Sequence, residues 1–485
     1  MSDIPSFPES YHPDKDAALF GTEREFISAD IGDKRLNLRL QKIAAAFIKH
    51  PNANIPQATG TWAGAKATYR FFSNSKVTSE KIIQPHREAT KERLNGKQIV
   101  LAVQDTSTAN FNSHTATEGL GLAGNDKTMG LMIHPTLLIS THGTPMGVID
   151  LQIWARESSE EEIAANKKKT KSEKENERRK KSIEEKESFK WISSLRAANK
   201  TQNELENITF VSVCDREGDF YDLFNESLSA DKGNRTELLV RAAQNRKVKG
   251  EHQFLWETAE SMPVQGYLAL NVPRQKGREQ REAKLAIRCG PVTINPPHKR
   301  AKSRYKPLQL WFVFAHEEEC PNDADSISWM LLTTMPVDDF DNAVEKIEWY
   351  TRRWMIELFF KVLKSGCEIE ERQLERAYRL KSCIAVDCVI AWMILFLTYV
   401  GREVPDLPAS VIFEDYEWKA IYCFINKTPD APDEAPSLQT VVRQIAGLGG
   451  FLGRKSDGEP GMITLWRGMW RMVDIAATYK IFRPV

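Results

Sequence analysis

The sequence predicts an α/β fold with a mixed sheet and a strand-rich insertion, flanked by helical segments at both ends. Three observations lead there. Two continuous apolar runs, QIVLAVQD at 98–105 and ITFVSVCD at 208–215, each stop at an aspartate, as buried sheet strands do. A train of strand-like runs fills about 236–338, and helical periodicity marks 33–94 and most of the chain beyond 341. At 485 residues the chain exceeds one domain. Its expected division is a helical domain over 1–78, an α/β domain over 79–402 carrying the insertion, and a helical domain over 403–485.

Composition narrows the function classes. Hydrophobic residues at 41% and charged residues at 27% are ordinary for a globular protein. Lys+Arg and Asp+Glu nearly cancel, leaving +1, so a nucleic-acid partner has to be held by local basic surfaces. The seven cysteines show no zinc-like or thioredoxin-like spacing, and the first thirty residues lack a secretion signal, so a cytoplasmic setting is expected. The membrane-like run at 383–400 is interrupted by Asp387 and falls short of a spanning helix, so it reads as a buried core helix and no membrane partner is expected.

The elements follow in order. DKRLNLRLQKIAAAFIK at 33–49 places Leu36, Leu40, Ile43, Ala44 and Phe47 at helical spacing, with Arg35 and Arg39 largely elsewhere on its surface. A second helix over 62–74 carries Lys66 and Arg70, and a third over 79–94 opens on a serine suited to capping. After the first strand, GLMIHPTLLIS and PMGVIDLQIW flank the Gly-containing connection 141–144, a hairpin pattern weakened only by Pro135. Between 157 and 187 a dense mixture of Lys, Arg and Glu reads as a solvated helix or flexible insertion. A helix over 188–199 leads into the strand ending at Asp215. The runs LLVRAAQ, GYLALNV, KLAIRCG, LQLWFVFA and SWMLLTT then alternate with basic loops. One strong helix is predicted over 341–364.

That helix is the most informative segment. At about 100° per residue, Tyr350, Arg353, Glu357, Lys361 and Lys364 fall within roughly an 80° arc, while Trp354, Met355, Ile356, Leu358, Phe359, Phe360, Val362 and Leu363 cover the other faces. A charged stripe on a mostly buried helix is unfavourable unless it faces a cleft, a metal or a polyanion. The same spacing also suits intrahelical pairing of Arg353 with Glu357 and of Glu357 with Lys361. Asp105 and Asp215 each read, taken singly, as turn or capping residues. Taken with Glu357 they form an oxygen-donor set of the kind hard divalent cations need, and two such ions can drive an in-line displacement at phosphorus. No short histidine pair, phosphate-binding glycine loop or nucleophile elbow competes with this reading.

At this point the residues resemble a family, the DDE cut-and-paste transposases of the insertion-sequence-four class, and within it the Tn5 type most of all. The most specific match is YTRRWMIELFFKVLK, whose Tyr350, Arg353, Glu357 and Lys364 fit the family's Tyr, Arg, Glu, Lys signature. LAVQDTS at Asp105, VCDREGD at Asp215, ATYRFF at Arg70 and LGGFLGRKSDG near the carboxyl end match collinearly. The resemblance implies a ribonuclease-H-like catalytic core in which Asp105, Asp215 and Glu357 bind two Mg²⁺ or Mn²⁺ ions. It further implies nicking of transposon ends, hairpin formation and reopening, and joining to target DNA. The partners it implies are double-stranded end and target DNA and a second copy of the chain in a synaptic complex, at the bacterial nucleoid. By the same resemblance Tyr350 and Arg353 grip phosphate beside a flipped base, Trp329 stacks on that base, Lys364 holds the terminal strand and Arg241 contacts phosphate. Read from sequence alone, Trp329 also suits a core aromatic and Arg241 a surface strand position. Lys361 joins the DNA-facing stripe, and Arg35, Arg39, Lys66 and Arg70 belong to the basic end-binding helices. Two other readings remain open: a nuclease or resolvase of the same fold that cuts and never joins, and a regulator that binds ends without cutting.

Overall fold

The computed structural model describes residues 22–124, 128–156, 169–231, 233–272, 281–297, 305–320, 326–454 and 457–483. Its strands in chain order are β1 Ile99–Gln104, β2 Ser107–Asn110, β3 Gly121–Leu122, β4 Met129–Ser140, β5 Pro145–Trp154, β6 Thr209–Cys214, β7 Glu237–Arg241, β8 Val248–Lys249, β9 Gly266–Val272, β10 Arg281–Ile294, β11 Leu308–Glu317 and β12 Ser328–Thr333. The expected α/β class, with a mixed sheet and helical ends, is what the chain adopts. The basic loops around 274–282 and 298–306 lie largely outside the described residues, as does 157–168 of the charged segment. Its remainder includes the helix Lys171–Lys180.

The chain forms two compact units. One comprises Gln98–Asp105 and Lys169–Trp354. Its strands run in the order β1-β6-β7-β12-β11-β10-β8, with β9 paired to β10. β1, β6 and β7 are parallel, in register Val103↔Val213 and Val213↔Leu239, whereas β12, β11 and β10 continue antiparallel. Parallel neighbours need a crossover, and between β6 and β7 it is the helix Tyr221–Ser229. Val100 to Val103 and Phe210, Val211 and Val213 are fully buried, which explains why these strands read as unbroken apolar runs. The core beside them gathers Trp191, Leu195, Phe224, Leu238, Phe312 and Leu332.

The other unit comprises Met1–Lys97, Thr106–Lys168 and Met355–Val485. Here β4 pairs antiparallel with β2, β3 and β5. The short strands β2 and β3 escaped sequence reading because four and two residues are too few to show a period. Helices Lys34–Lys49, Trp62–Phe72 and Ser79–Arg93 form where the apolar spacing placed them. The first is capped by Asp33, which accepts from the Arg35 N–H at 2.9 Å, and the second by Thr61, which accepts from the Gly64 N–H at 3.0 Å. The third takes its cap from Thr78 rather than from Ser79, which becomes the first helical residue. β5 approaches this helix so closely at Gly147 that a Cβ there would stand 2.0 Å from Thr90 Oγ1.

The membrane-like run lies in the helix Ala377–Glu403. By length and hydropathy this helix could cross a membrane, yet 94% of its most apolar window is buried within the protein. Its one interior acid, Asp387, is buried against Arg372 through Nη2···Oδ1 at 2.7 Å and Nε···Oδ2 at 3.2 Å. Arg372 also donates to the carbonyls of Pro51 and Ala53 and lies over the Phe47 ring, 4.3 Å from its centroid. None of the seven cysteines is disulfide-bonded.

Candidate active site and nucleic-acid interface

Asp105 and Asp215 each stand two residues beyond the register pair Val103↔Val213, at the carboxyl ends of adjacent parallel strands. Both emerge where the fully buried run stops, so burial positions the backbone and leaves the side chains at the carboxyl-terminal ends of their strands. Arg353 Nη1 donates to Asp105 Oδ2 at 3.0 Å. Asp215 Oδ1 accepts the Glu217 N–H at 2.8 Å and caps the turn Arg216–Gly218, which fixes the carboxylate's direction. Burial pushes the Asp215 carboxyl above the ordinary range, helped by the charge of Glu217 and only partly opposed by that N–H, Arg353 and Lys190. The buried Cys214 thiol is driven strongly upward first by burial and then by the charges of both Asp215 and Asp105. Both carboxylates therefore lie near enough for their charges to be felt at Cys214.

Four of the proposed DNA contacts gather in the same unit. Tyr350, near the end of the helix Phe340–Thr351, is buried, and its ring meets the Trp329 indole edge-on at 6.0 Å. Burial raises the Tyr350 phenol, while a hydrogen bond from Arg241 and the charges of Arg241 and Arg353 pull it back. Arg241, opposite Leu331 across β7 and β12, also donates to the Ser328 carbonyl at 3.3 Å. Trp329 is half-buried, neither a sealed core residue nor a free one. Tyr350, Arg353, Trp329 and Arg241 thus neighbour the aspartates that the sequence singled out.

The single helix expected over 341–364 is instead broken. It consists of Phe340–Thr351 and Trp354–Lys361, followed by a wider π turn over Val362–Gly366. Arg352 and Arg353 lie in the break, which frees the Arg353 side chain from the helical arc and lets it reach Asp105. The continuous stripe from Tyr350 to Lys364 is therefore interrupted. Trp354, expected on the buried faces, is 58% exposed. Glu357 and Lys364 are half-buried and Lys361 is exposed, all in the other compact unit. Burial holds the Lys364 amine below its ordinary range, with Glu370 offsetting part of the effect. Among the described residues no group of three His, Cys, Asp or Glu side chains is arranged to hold a metal ion. The donor chemistry of Asp105 and Asp215 nevertheless fits Mg²⁺ or Mn²⁺: both offer hard carboxylate oxygens, and both side chains are only half-buried at adjacent strand ends.

Away from these residues, Arg35, Lys66 and Arg70 are exposed and Arg39 half-exposed on the helices Lys34–Lys49 and Trp62–Phe72. Apart from a 3.5 Å contact of Arg35 with Asp33, they form no ion pair among the described residues. Basic side chains presented in this way suit a phosphate backbone. Residues 22–77 match the family model of the transposase DNA-binding domain, and residues 389–481 match that of the transposase Tn5 dimerisation domain. The chain is a Tn5-like transposase. Its type is that of DNA transposition, and all four basic helix residues fall inside the transposase's DNA-binding match. The dimerisation match takes in the helices Asp415–Asn426 and Leu438–Leu448, all but the last residue of Met462–Phe482, and the latter part of Ala377–Glu403. Sequence reading missed the Arg353 to Asp105 ion pair, because an intrahelical partner for Arg353 was equally well spaced and nothing in the sequence marks the helix break. It also missed the buried polar groups Glu25, His86 and Arg372, which carry no periodic signal of their own.

Proposed function

We propose that this transposase performs cut-and-paste transposition by metal-assisted phosphoryl transfer, with Asp105, Asp215 and Glu357 as the carboxylates that hold two Mg²⁺ or Mn²⁺ ions. The observation that carries the reading is the pair of aspartates at adjacent parallel strand ends, served by one arginine, Arg353. When bound, the ions supply activation of the attacking oxygen and charge stabilisation of the leaving one. The chain's own groups do the rest. The Glu217 N–H orients Asp215, and Arg353 balances Asp105 and supplies a donor for a phosphate oxygen. Tyr350 and Arg241 form a hydrogen-bonded pair beside it, and Trp329 offers an aromatic surface on which a displaced base can stack. Lys361 and Lys364 contribute cations for the terminal strand. In this reading the same carboxylates nick the end, make and reopen a hairpin and join the end to target DNA. Two copies of the chain pair two transposon ends in the bacterial cytoplasm. The functional division follows 1–78 for end binding, 79–402 for chemistry with its insertion at about 236–338, and 403–485 for dimerisation.

The test uses the full chain, Mg²⁺ and duplexes ending in the inverted repeats that flank its gene, with products resolved on a denaturing gel. Hairpin-capped fragments and joined products with a target plasmid are expected. Cutting without joining would favour a nuclease, and binding without cutting a regulator. Asp105→Ala should abolish cleavage while leaving end binding nearly unchanged, and Arg353→Ala should slow cleavage about a hundredfold, as loss of one preorganised donor does. Equal loss of cleavage and binding in Asp105→Ala would overturn the metal role.

A further inference from the structure

Two polar side chains sit inside the apolar strands that deliver the aspartates. Gln104, the last residue of β1, and Ser212 of β6 are fully buried, flanked along their strands by the equally buried Val103, Val211 and Val213. Gln104 Nε2 donates to Ser212 Oγ at 2.6 Å, and Ser212 Oγ lies 3.6 Å from the Cys214 sulfur. Side chains alternate along a strand, so Gln104, Ser212 and Cys214 share one face of the sheet. Cys214 belongs there to the core that contains Leu238, Val240 and Phe312. A buried amide and hydroxyl are costly when unpaired, yet an apolar pair of similar shape would serve stability about as well. What the bond supplies instead is geometry. Ser212 stands opposite Ala102 in the register, so the bond runs diagonally from β1 to β6 and resists sliding of one strand along the other. The paired backbone of these strands stops at Val103↔Val213, short of both aspartates. The bond from Gln104, the residue next to Asp105, is therefore a side-chain tie at the end of the ladder from which the acids emerge.

We infer that Gln104 is a positioning residue that, through Ser212, fixes the spacing of the Asp105 and Asp215 carboxylates and so makes the site selective for Mg²⁺ over larger divalent cations. Mg²⁺ demands near-ideal octahedral geometry with oxygens at about 2.0–2.1 Å, whereas Ca²⁺ accepts about six to eight oxygens at about 2.3–2.6 Å in flexible arrangements. Rigid strand ends meet the first demand, and looser ones penalise Mg²⁺ more than Ca²⁺. Arg353 and the Glu217 N–H aim the individual carboxylates, while the Gln104 bond sets the strands that carry them. This rests on the binding of divalent ions by these aspartates, as proposed above.

The experiment measures displacement of Mn²⁺ by Mg²⁺ and by Ca²⁺ on the full-length chain bound to a pre-cut end duplex, followed by the electron paramagnetic resonance of free Mn²⁺. Asp105→Ala in the same complex defines the Mn²⁺ held elsewhere. Wild type, Gln104→Leu and Gln104→Leu/Ser212→Ala are compared, with melting temperature and end-duplex affinity recorded for each. Gln104→Leu strands the Ser212 hydroxyl and should melt below wild type, whereas the double variant strands no polar group and should melt close to it. Both variants should lose Mg²⁺ affinity about tenfold, keep Ca²⁺ affinity nearly unchanged, and bind the end duplex as wild type does. Cleavage of uncut ends in Mg²⁺ should slow at unchanged end affinity. A merely structural role predicts that the double variant regains Mg²⁺ affinity along with its melting temperature, and that result would overturn the inference. Equal losses of Mg²⁺ and Ca²⁺ affinity would overturn it too. An Asp105→Ala complex that holds as much Mn²⁺ as wild type would instead remove the proposed metal role itself, and this inference with it.

Discussion

Replacing Arg372 by methionine is the sharpest test of how the unit that carries the DNA-binding helices is held together. Methionine keeps an unbranched apolar stem near the Phe47 ring and removes only the guanidinium. What remains is Asp387, fully buried in the middle of the helix Ala377–Glu403, and the carbonyls of Pro51 and Ala53 without the donor that served them. Breaking a buried ion pair by deleting one partner costs about 3–5 kcal/mol, and each buried carbonyl left unpaired adds about 1–3 kcal/mol. A loss of roughly 5 kcal/mol or more is therefore expected. The loss should depend on pH with a definite sign. Burial already pushes the Asp387 carboxyl above its ordinary range, and Arg372 opposes that shift only in part. Without Arg372 the folded-state value rises further, while the unfolded chain stays near about 3.9. A carboxyl raised on folding favours the folded state only when protonated, so its contribution is lost as pH rises through the folded value. Arg372→Met should accordingly be more destabilised at pH 8 than at pH 5, as read by urea and thermal unfolding. The double variant Arg372→Met/Asp387→Leu should recover most of the loss, because it strands no charge. A single-variant loss below about 1 kcal/mol, or one independent of pH, would refute the claim that a buried charge is at stake.

His86 gives a second pH-dependent test. Its Nε2 accepts the Val148 N–H at 2.9 Å, so Nδ1 carries the proton toward Glu25 at 2.5 Å and the ring is neutral. Burial holds the imidazole below its ordinary range despite the attraction of Glu25. A histidine depressed on folding lends stability that is complete above the unfolded value of about 6.5 and is lost below it, by up to about 1.4 kcal/mol per pH unit. His86→Gln, which can still donate and accept, should flatten the fall in melting temperature between pH 7.5 and 5.5, and an unchanged slope would count against it. In the dimerisation match, Gly468 lets the helix Met462–Phe482 approach Leu438–Leu448 so closely that a Cβ would stand 1.7 Å from the Ile445 carbonyl oxygen. Gly468→Ala should cost at least about 1–3 kcal/mol and reduce self-association measured by light scattering, whereas a normal melting curve would show that the helices can part freely.

The parts of the molecule legible in sequence are those where one physical demand repeats. Strands β1 and β6 could be read because burial on both faces leaves an unbroken apolar run, and the acid after each run could be read because it ends that burial. The helix Lys34–Lys49 could be read from the spacing of Leu40, Ile43, Ala44 and Phe47, all of which are buried. Illegible features depend on single long-range partners. Arg353 had a plausible intrahelical partner in Glu357, and only the fold turns it to Asp105. Asp387 looked like an interruption of an apolar run, yet its partner lies fifteen residues upstream on a separate turn.

These single-partner contacts share a consequence. Arg372 fastens the turn at 51–53, inside the DNA-binding match, to the helix Ala377–Glu403. Glu25 is pushed up by burial, yet Arg93 and His86 together hold it below the ordinary range. Through them it fastens the first helix of that match to Met146 and Val148 of β5. Arg93 in turn lies 4.2 Å over the ring of Trp392, which belongs to the same long helix and to the dimerisation match. The helices of the DNA-binding match and of the dimerisation match are thus seated on one buried helix by these charged contacts. Such seating makes them hard to perturb separately. Conservative changes at Arg372 or Glu25 should disturb end binding and self-association together, whereas changes at Lys66 or Gly468 should each disturb only one.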